Sequence, residues 1–146
     1  MTEPLRLPVL RIDPDLPVPT YARPDDAGLD LHAAEGVTLK PGDRMLVATG
    51  IALALPPGFA GFVLPRSGLA LRHGVTLLNT PGLIDAGYRG EVKVLLVNHG
   101  AAAVTLQRGD RVAQLVVQRI EHVVAAPVAV LPDSPRGAGG FGSTGA

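Results

Sequence analysis

The residues able to do chemistry in this chain are few and far apart, and Asp85 stands out among them. It lies in LLNTPGLIDAGYRGEVKVLLVN, Leu77 to Asn98, where an apolar run breaks at Asn79-Thr80-Pro81-Gly82, recovers for Leu83 and Ile84, and presents a carboxylate before a second glycine-containing turn. Proline presets φ and glycine permits positive φ, so the stretch reads as two strands folded over a hairpin with Asp85 at its mouth. An aspartate there is a turn former, a catalytic group, or both. A second set closes the chain in RGAGGFGSTGA, where the seven residues from Gly137 to Ser143 include four glycines. By composition this is a flexible tail, and Arg136, backbone amides and the hydroxyls of Ser143 and Thr144 can wrap around a polyphosphate. It is not a P-loop: Ser143 stands where the lysine belongs, and no β-α unit surrounds it. Ser67 lacks a Gly-x-Ser-x-Gly setting and the four histidines are scattered at His32, His73, His99 and His122, which argues against a serine hydrolase triad. With no cysteine there is no thiolate nucleophile, Cys-ligated zinc or disulfide framework.

These residues must be positioned by short strands. Proline at Pro4, Pro8, Pro14, Pro17, Pro19 and Pro24 forbids a helix at the start of the chain and predicts an extended edge strand running into a loop. In AGLDLHAA, Ala27 to Ala34, Leu29 and Leu31 alternate with Asp30 and His32, so the leucines face inward and Asp30 the other way. VTLKPGDR, Val37 to Arg44, recurs as VTLQRGDR, Val104 to Arg111, which reads as one Gly-Asp turn type used twice between antiparallel strands. No window shows a sustained helical period, and a single helical turn is expected after Ser67, with Ser67 as cap and Gly74 closing it. Aromatic residues make up only 3% of the chain, so Val, Leu, Ile and Ala must fill the core. The expected fold is all-β, a distorted jelly-roll or barrel of short antiparallel strands.

A chain of 146 residues forms one domain, able to bury roughly two-thirds of its unfolded surface. The expected division is a jelly-roll body over 1–135, with a C-terminal arm from about 123, and a tail over 136–146. The net charge is zero, with both signs interspersed, so nucleic acid and anionic membranes are not expected partners. No stretch reaches the length of a membrane span, and the cysteine-free chain with no apolar leader is expected in the cytoplasm. Val92, Val94 and Leu96 alternate with Lys93, Leu95 and Val97, so both faces of the later part of this strand are apolar, and VVAAPVAVLPDSP from Val123 is apolar and broken by proline. One face packs in the chain's own core; the other predicts an oligomer, with the arm laid on a neighbour.

Five segments in order, AGLDLHAA, PRSGLA, NTPGLIDAGYRG, GDRVAQ and RGAGGFGSTG, together spanning Ala27 to Gly145, make the sequence resemble the homotrimeric deoxyuridine triphosphate diphosphatases, or dUTPases. The resemblance implies a jelly roll with three sites at subunit interfaces. It implies hydrolysis of dUTP to dUMP and pyrophosphate by water attack at the α-phosphorus, with Mg²⁺ on the triphosphate. Asp85 is then the general base, and Asp30 holds the metal through bridging water, as suits a hard cation that keeps its hydration shell. Arg66, Ser67 and the Gly68 amide, at the helix start, would bind phosphate, as would Gln114. Backbone amides near Leu83 and Ile84, with the Asn79 side chain, would read the uracil edge. Tyr88 would lie against the deoxyribose and exclude a 2′-hydroxyl, with Lys93 close to the substrate. The tail would close over the site with Phe141 on the uracil and Arg136, Ser143 and Thr144 on the distal phosphates. Ala138 departs from a motif position that is often polar in the family, which removes one phosphate contact.

Two rival readings remain at this point. The related dCTP deaminase group shares the fold but needs a proton-shuttling glutamate on the strand after the third motif, where this chain has Leu95. A non-catalytic trimeric β-sandwich binding protein accounts for the fold and the trimer, though not for the five segments.

Overall fold

The computed structural model describes residues 3–145. Its strands are β1 (Val9–Arg11), β2 (Leu29–His32), β3 (Val37–Leu39), β4 (Arg44–Leu53), β5 (Phe59–Leu64), β6 (Val75–Leu77), β7 (Gly82–Ile84), β8 (Glu91–Asn98), β9 (Val104–Leu106) and β10 (Arg111–Arg119), with the helix α1 (Ser67–His73) between β5 and β6. One sheet runs β1-β4-β8-β6, a second β2-β10-β5-β7, and β3 pairs with β9 as a two-stranded ribbon. All described pairings are antiparallel. This is the expected jelly roll with one short helix. No helix among the described residues is long and apolar enough to cross a membrane.

Inward-facing leucines and valines of both sheets make the core, led by Leu31, Leu39, Leu55, Leu96, Leu115, Val47, Val75, Val94 and Val112. No aromatic ring belongs to it, as the composition requires. The repeated segments pair with each other: Val37 lies opposite Leu106 and Thr38 opposite Thr105, with their hydroxyls 2.9 Å apart. Each then enters the same turn. The Asp43 carboxylate accepts from the Lys40 N–H at 2.9 Å and that of Asp110 from the Gln107 N–H at 2.7 Å. Gly42 and Gly109 sit at φ 85° and 90°, where a side chain would be strained.

Three sequence expectations are corrected. The stretch from Leu77 to Asn98 is not a simple hairpin. β6 and β8 do pair, Leu77 opposite Leu96, but Leu83 and Ile84 leave that sheet and pair with Phe62 and Gly61 on the edge of the other. Asp85 therefore stands where the chain crosses from one sheet to the other. Ser67 is not a cap: the N-cap is Arg66, extended at φ −96° and ψ 128°, with no side-chain hydrogen bond, and Ser67 is the first helical residue. Gly74 closes the helix in the left-handed region as expected. On β8, Val97 is buried within the single chain, which leaves the half-buried Leu95, with the exposed Leu46 opposite it on the same face, as the uncovered apolar strip.

β4 carries a bulge between Ala48 and Ala52, opposite Glu91. Gly50 sits in it at φ 72°, its N–H donating to Glu91 Oε1 at 3.0 Å and its carbonyl accepting from the N–H groups of Ile12 and Asp13 at 2.8 and 2.9 Å. Asp13 in turn pairs with Arg108, whose Nη2 donates to Oδ1 at 3.0 Å. Beyond β10 the segment carrying Val123, Val124, Val130 and Leu131 lies exposed without forming a strand.

Candidate active site

β7 is the outermost strand of its sheet, so one side of its backbone has no ladder partner. Leu83 points outward, 60% exposed, while Ile84 is buried. Beside this edge lies a cleft of about 280 Å³ lined by Asn79, Leu83, Ile84, Tyr88, Lys93 and Leu95, among others. An apolar floor with free backbone groups and a carboxamide at the rim is the chemistry that holds and reads a flat, polar-edged ring. Asp85 follows directly, exposed, its carbonyl accepting from the Tyr88 N–H at 3.1 Å. Its reading as a turn former is thus realised by the backbone, and its carboxylate remains available for chemistry.

A second cleft of about 440 Å³ is lined by Asp26, Gly28, Asp30, Arg66, Ser67, Arg111 and Gln114, among others. The Asp30 carboxylate, its side chain 15% exposed, lies between two guanidiniums, 3.3 Å from Arg111 Nη1 and 3.7 Å from Arg66 Nε. Arg66 Nη1 also donates to the Arg111 carbonyl at 3.3 Å. Two guanidiniums and two carboxylates, Asp30 and Asp26, line this cleft, so a phosphate there is held by the fork of guanidinium donors rather than by an excess of positive charge. His32, two residues along the same face of β2, is pushed below the ordinary histidine value by burial. Asp30 opposes that shift, and Arg111 and Arg66 reinforce it. Gln114, opposite Asp30 in the β2–β10 register, donates from Nε2 to the Pro65 carbonyl at 2.9 Å. It lies so close over Gly28 that a Cβ there would stand 2.3 Å from Oε1.

Of the expected residues, one chain places Asn79, Leu83, Ile84, Tyr88 and Lys93 at the first cleft and Asp30, Arg66, Ser67 and Gln114 at the second, while Asp85, Gly68 and the tail residues line neither. The two clefts share no lining residue. Arg136, Phe141, Ser143 and Thr144 line neither of them and lie in successive exposed turns, Arg136 Nε donating to the Gly139 carbonyl at 2.8 Å. Ala146, the last residue of the expected tail, lies outside the described residues. Sequence reasoning missed Gly28, since a glycine that makes room for a side chain distant in sequence looks like any other glycine. Arg111, which the sequence offers as the end of a Gly-Asp turn segment, pairs with Asp30.

A family model described as dUTPase matches residues 15–145. The chain belongs to the dUTPase family. The deoxyuridine 5′-triphosphate nucleotidohydrolase of Thermobifida fusca is 61% identical over 142 residues, 97% of this chain and 79% of that protein. Its counterpart in Streptomyces avermitilis is 56% identical over 97% of this chain and 82% of that protein. Among solved structures, the dUTPase of Staphylococcus bacteriophage 80alpha with dUPNHPP superposes with a TM-score of 0.90 at 26% identity, covering 97% of this chain and 99% of that one. A mutant dUTPase of phage phi11 of S. aureus, described with a coordinated structural Mg(II) ion, superposes at 0.81 over 88% of this chain and all of that one, at 23% identity, a likeness of fold. Fold and family expectations drawn from the five segments thus stand, and the activity follows from them below.

Proposed function

We propose that this chain hydrolyses dUTP to dUMP and pyrophosphate. The observation that carries the reading is the edge-strand cleft, where Asn79, Leu83, Ile84 and Tyr88 of the dUTPase motif meet on one small apolar site. Uracil binds along the free edge of β7, its donor–acceptor pattern read by backbone groups near Leu83 and Ile84 and by the Asn79 amide. The Tyr88 ring packs on the deoxyribose where a 2′-hydroxyl would project, and Lys93 stands at the rim. Asp85 takes a proton from water as the water oxygen bonds to the α-phosphorus. The bond from that phosphorus to the bridging oxygen breaks, and pyrophosphate leaves with the electron pair. Arg66, Ser67, the Gly68 amide and Gln114 bind the phosphates and offset their charge.

The expected cofactor is Mg²⁺. Among the described residues no three His, Cys, Asp or Glu side chains gather into a metal cage, and the carboxylates lining the second cleft are Asp30, held between two guanidiniums, and the exposed Asp26, whose Oδ2 accepts from the Arg23 N–H at 3.0 Å. That set suits a cation that arrives on a triphosphate, retains most of its waters and meets the protein through one of them. When bound, Mg²⁺ supplies charge neutralisation on the phosphate oxygens.

The working unit in this reading is a homotrimer with each site shared between subunits. Two clefts with separate linings, the apolar strip of Leu46 and Leu95, and the exposed arm all find a use when a neighbour supplies the missing half. The body over 1–135 then carries the clefts and the arm from about 123, and the tail over 136–146 closes on a site with Phe141 over the base and Arg136, Ser143 and Thr144 on the distal phosphates. The cytoplasm, with its dUTP pool, is the matching location. Deamination is disfavoured because Leu95, which lines the cleft, carries no titratable group. Measuring magnesium-dependent pyrophosphate release across the deoxynucleoside triphosphates tests the reading. Selective release from dUTP is expected, and equal rates on dCTP or TTP, or uridine nucleotide formation from dCTP, would overturn it.

A further inference from the structure

Tyr88 is not simply an exposed ring beside the cleft: it is folded back onto the two residues that follow Arg89. Its hydroxyl donates to the Glu91 carbonyl at 2.9 Å, which forces the ring across Gly90. A Cβ built on Gly90 would stand 2.5 Å from Tyr88 Oη, 2.7 Å from Cζ and 3.0 Å from Cε2. Real Cβ contacts do not occur at the two shorter distances, so this ring position exists only because residue 90 has no side chain. The acceptor is itself held. Glu91 Oε1 accepts from the Gly50 N–H in the β4 bulge at 3.0 Å, and the Thr49 hydroxyl donates to the next carbonyl, that of Val92. From below, Arg89 Nη1 donates to the carbonyls of Ala86 and Tyr88 at 2.7 and 2.9 Å. The loop is thus tied at both ends, and the tyrosine is the element it presents.

We infer that Gly90 and Glu91 form a seat for the Tyr88 ring and are positioning residues for sugar selection: Gly90 by leaving the space, Glu91 by fixing the carbonyl that receives the hydroxyl. The inference rests on Tyr88 being the group that excludes the 2′-hydroxyl. A steric wall discriminates only if it cannot retreat, and a tyrosine 46% exposed has little packing of its own to hold it. The seat supplies that rigidity. Gly87, in the same loop, gives the contrast: a Cβ there would meet nothing within 4 Å.

The test compares kcat/KM for dUTP and for UTP in the full chain and in Gly90→Ala, Gly87→Ala, Tyr88→Ala, Glu91→Ala and Glu91→Gln, with the melting temperature of each. The atoms that a methyl at position 90 displaces all belong to one partly exposed side chain, so Gly90→Ala should fold normally and move the ring. The dUTP preference should fall by about tenfold, the scale of a single steric contact in a pocket. Gly87→Ala should keep the parent preference. Glu91→Ala should lose preference, and Glu91→Gln, which retains an oxygen for the Gly50 N–H, should recover it; a merely structural role would move melting temperature in these variants without moving the ratio. If Tyr88→Ala lowers the preference while Gly90→Ala and Glu91→Ala keep it, the seat is wrong. If Tyr88→Ala itself leaves the preference intact, the reading of Tyr88 as sugar guard fails instead.

Discussion

Asp85→Asn replaces one carboxylate oxygen by an amide nitrogen of nearly the same size and removes the ability to accept a proton at neutral pH. What holds the local turn is backbone, the Tyr88 N–H on the Asp85 carbonyl at 3.1 Å, and the side chain is exposed. The fold should therefore be indifferent, with stability within about 0.5 kcal/mol of the parent, as for surface substitutions that break no network. The loss should fall on the chemical step. A positioned base is worth about 10²–10⁴ in rate, equivalent to about 3–5 kcal/mol of barrier. Steady-state pyrophosphate release from saturating dUTP gives kcat, and nucleotide binding measured separately by calorimetry shows whether the ground-state complex survives. The expected pattern is kcat down by that factor with dUTP still bound. Turnover within about threefold of the parent would remove Asp85 from the role of base, and a large fall in melting temperature would show that the substitution had acted through the fold.

Truncation after Pro135 should cut kcat/KM sharply while leaving the melting temperature unchanged, since the tail adds nothing to the core; activity close to the parent would make the tail a linker. Mixing such truncated subunits with Asp85→Asn subunits, after confirmed exchange, should regain activity that neither has alone, and no gain would place tail and base on one subunit. Asn98→Ala should cost about 2–4 kcal/mol in denaturant unfolding. Its buried amide donates to the Leu39 and Ala102 carbonyls at 2.9 Å each and accepts from the Gly100 N–H at 2.8 Å; a cost below about 1 kcal/mol would mean that water replaces those bonds. The Arg108 guanidinium holds the Asp13 carboxyl below its ordinary value of 3.8. A carboxylate shifted down in the folded state stabilises above its unfolded pKa, and that contribution disappears as pH falls through the folded value. Acid titration of stability should therefore lose slope below pH 3.8 in Asp13→Asn, and parent and variant curves of identical shape would refute the pairing.

Much of the fold was legible because its signals are local. Prolines at the start of the chain forbid a helix whatever surrounds them, and the paired Gly-Asp turns repeat one local hydrogen-bonding pattern at Asp43 and Asp110. The alternation on β8 reads directly as Val92, Val94 and Leu96 inside. What escaped depends on partners distant in sequence. Nothing near Leu83 says that β7 will desert β8 for Phe62 and Gly61, since either neighbour satisfies the same backbone. Ser67 has the side chain of a cap, yet it is the first helical residue, and the extended Arg66 takes the cap position with no side-chain hydrogen bond to the helix. Asn98 reads as the polar end of a strand, while its burial is decided by Leu39 and by the loop at Gly100 and Ala102. Asp30, Arg66 and Gln114 were singled out through the family segments, and their convergence comes from β2 and β5 flanking β10.

The aliphatic core has an optical consequence. The chain has no tryptophan, and its two tyrosines, Tyr21 and Tyr88, are respectively 53% and 46% exposed. Tightly packed rings are what normally give a folded protein its near-ultraviolet dichroism and its change in emission on unfolding. Here the tyrosine signals come from the surface, and one of the two tyrosines lines the edge-strand cleft. Spectroscopy in that range will report what happens to a ligand and stay largely silent about the fold, so unfolding of this protein is to be followed through its backbone.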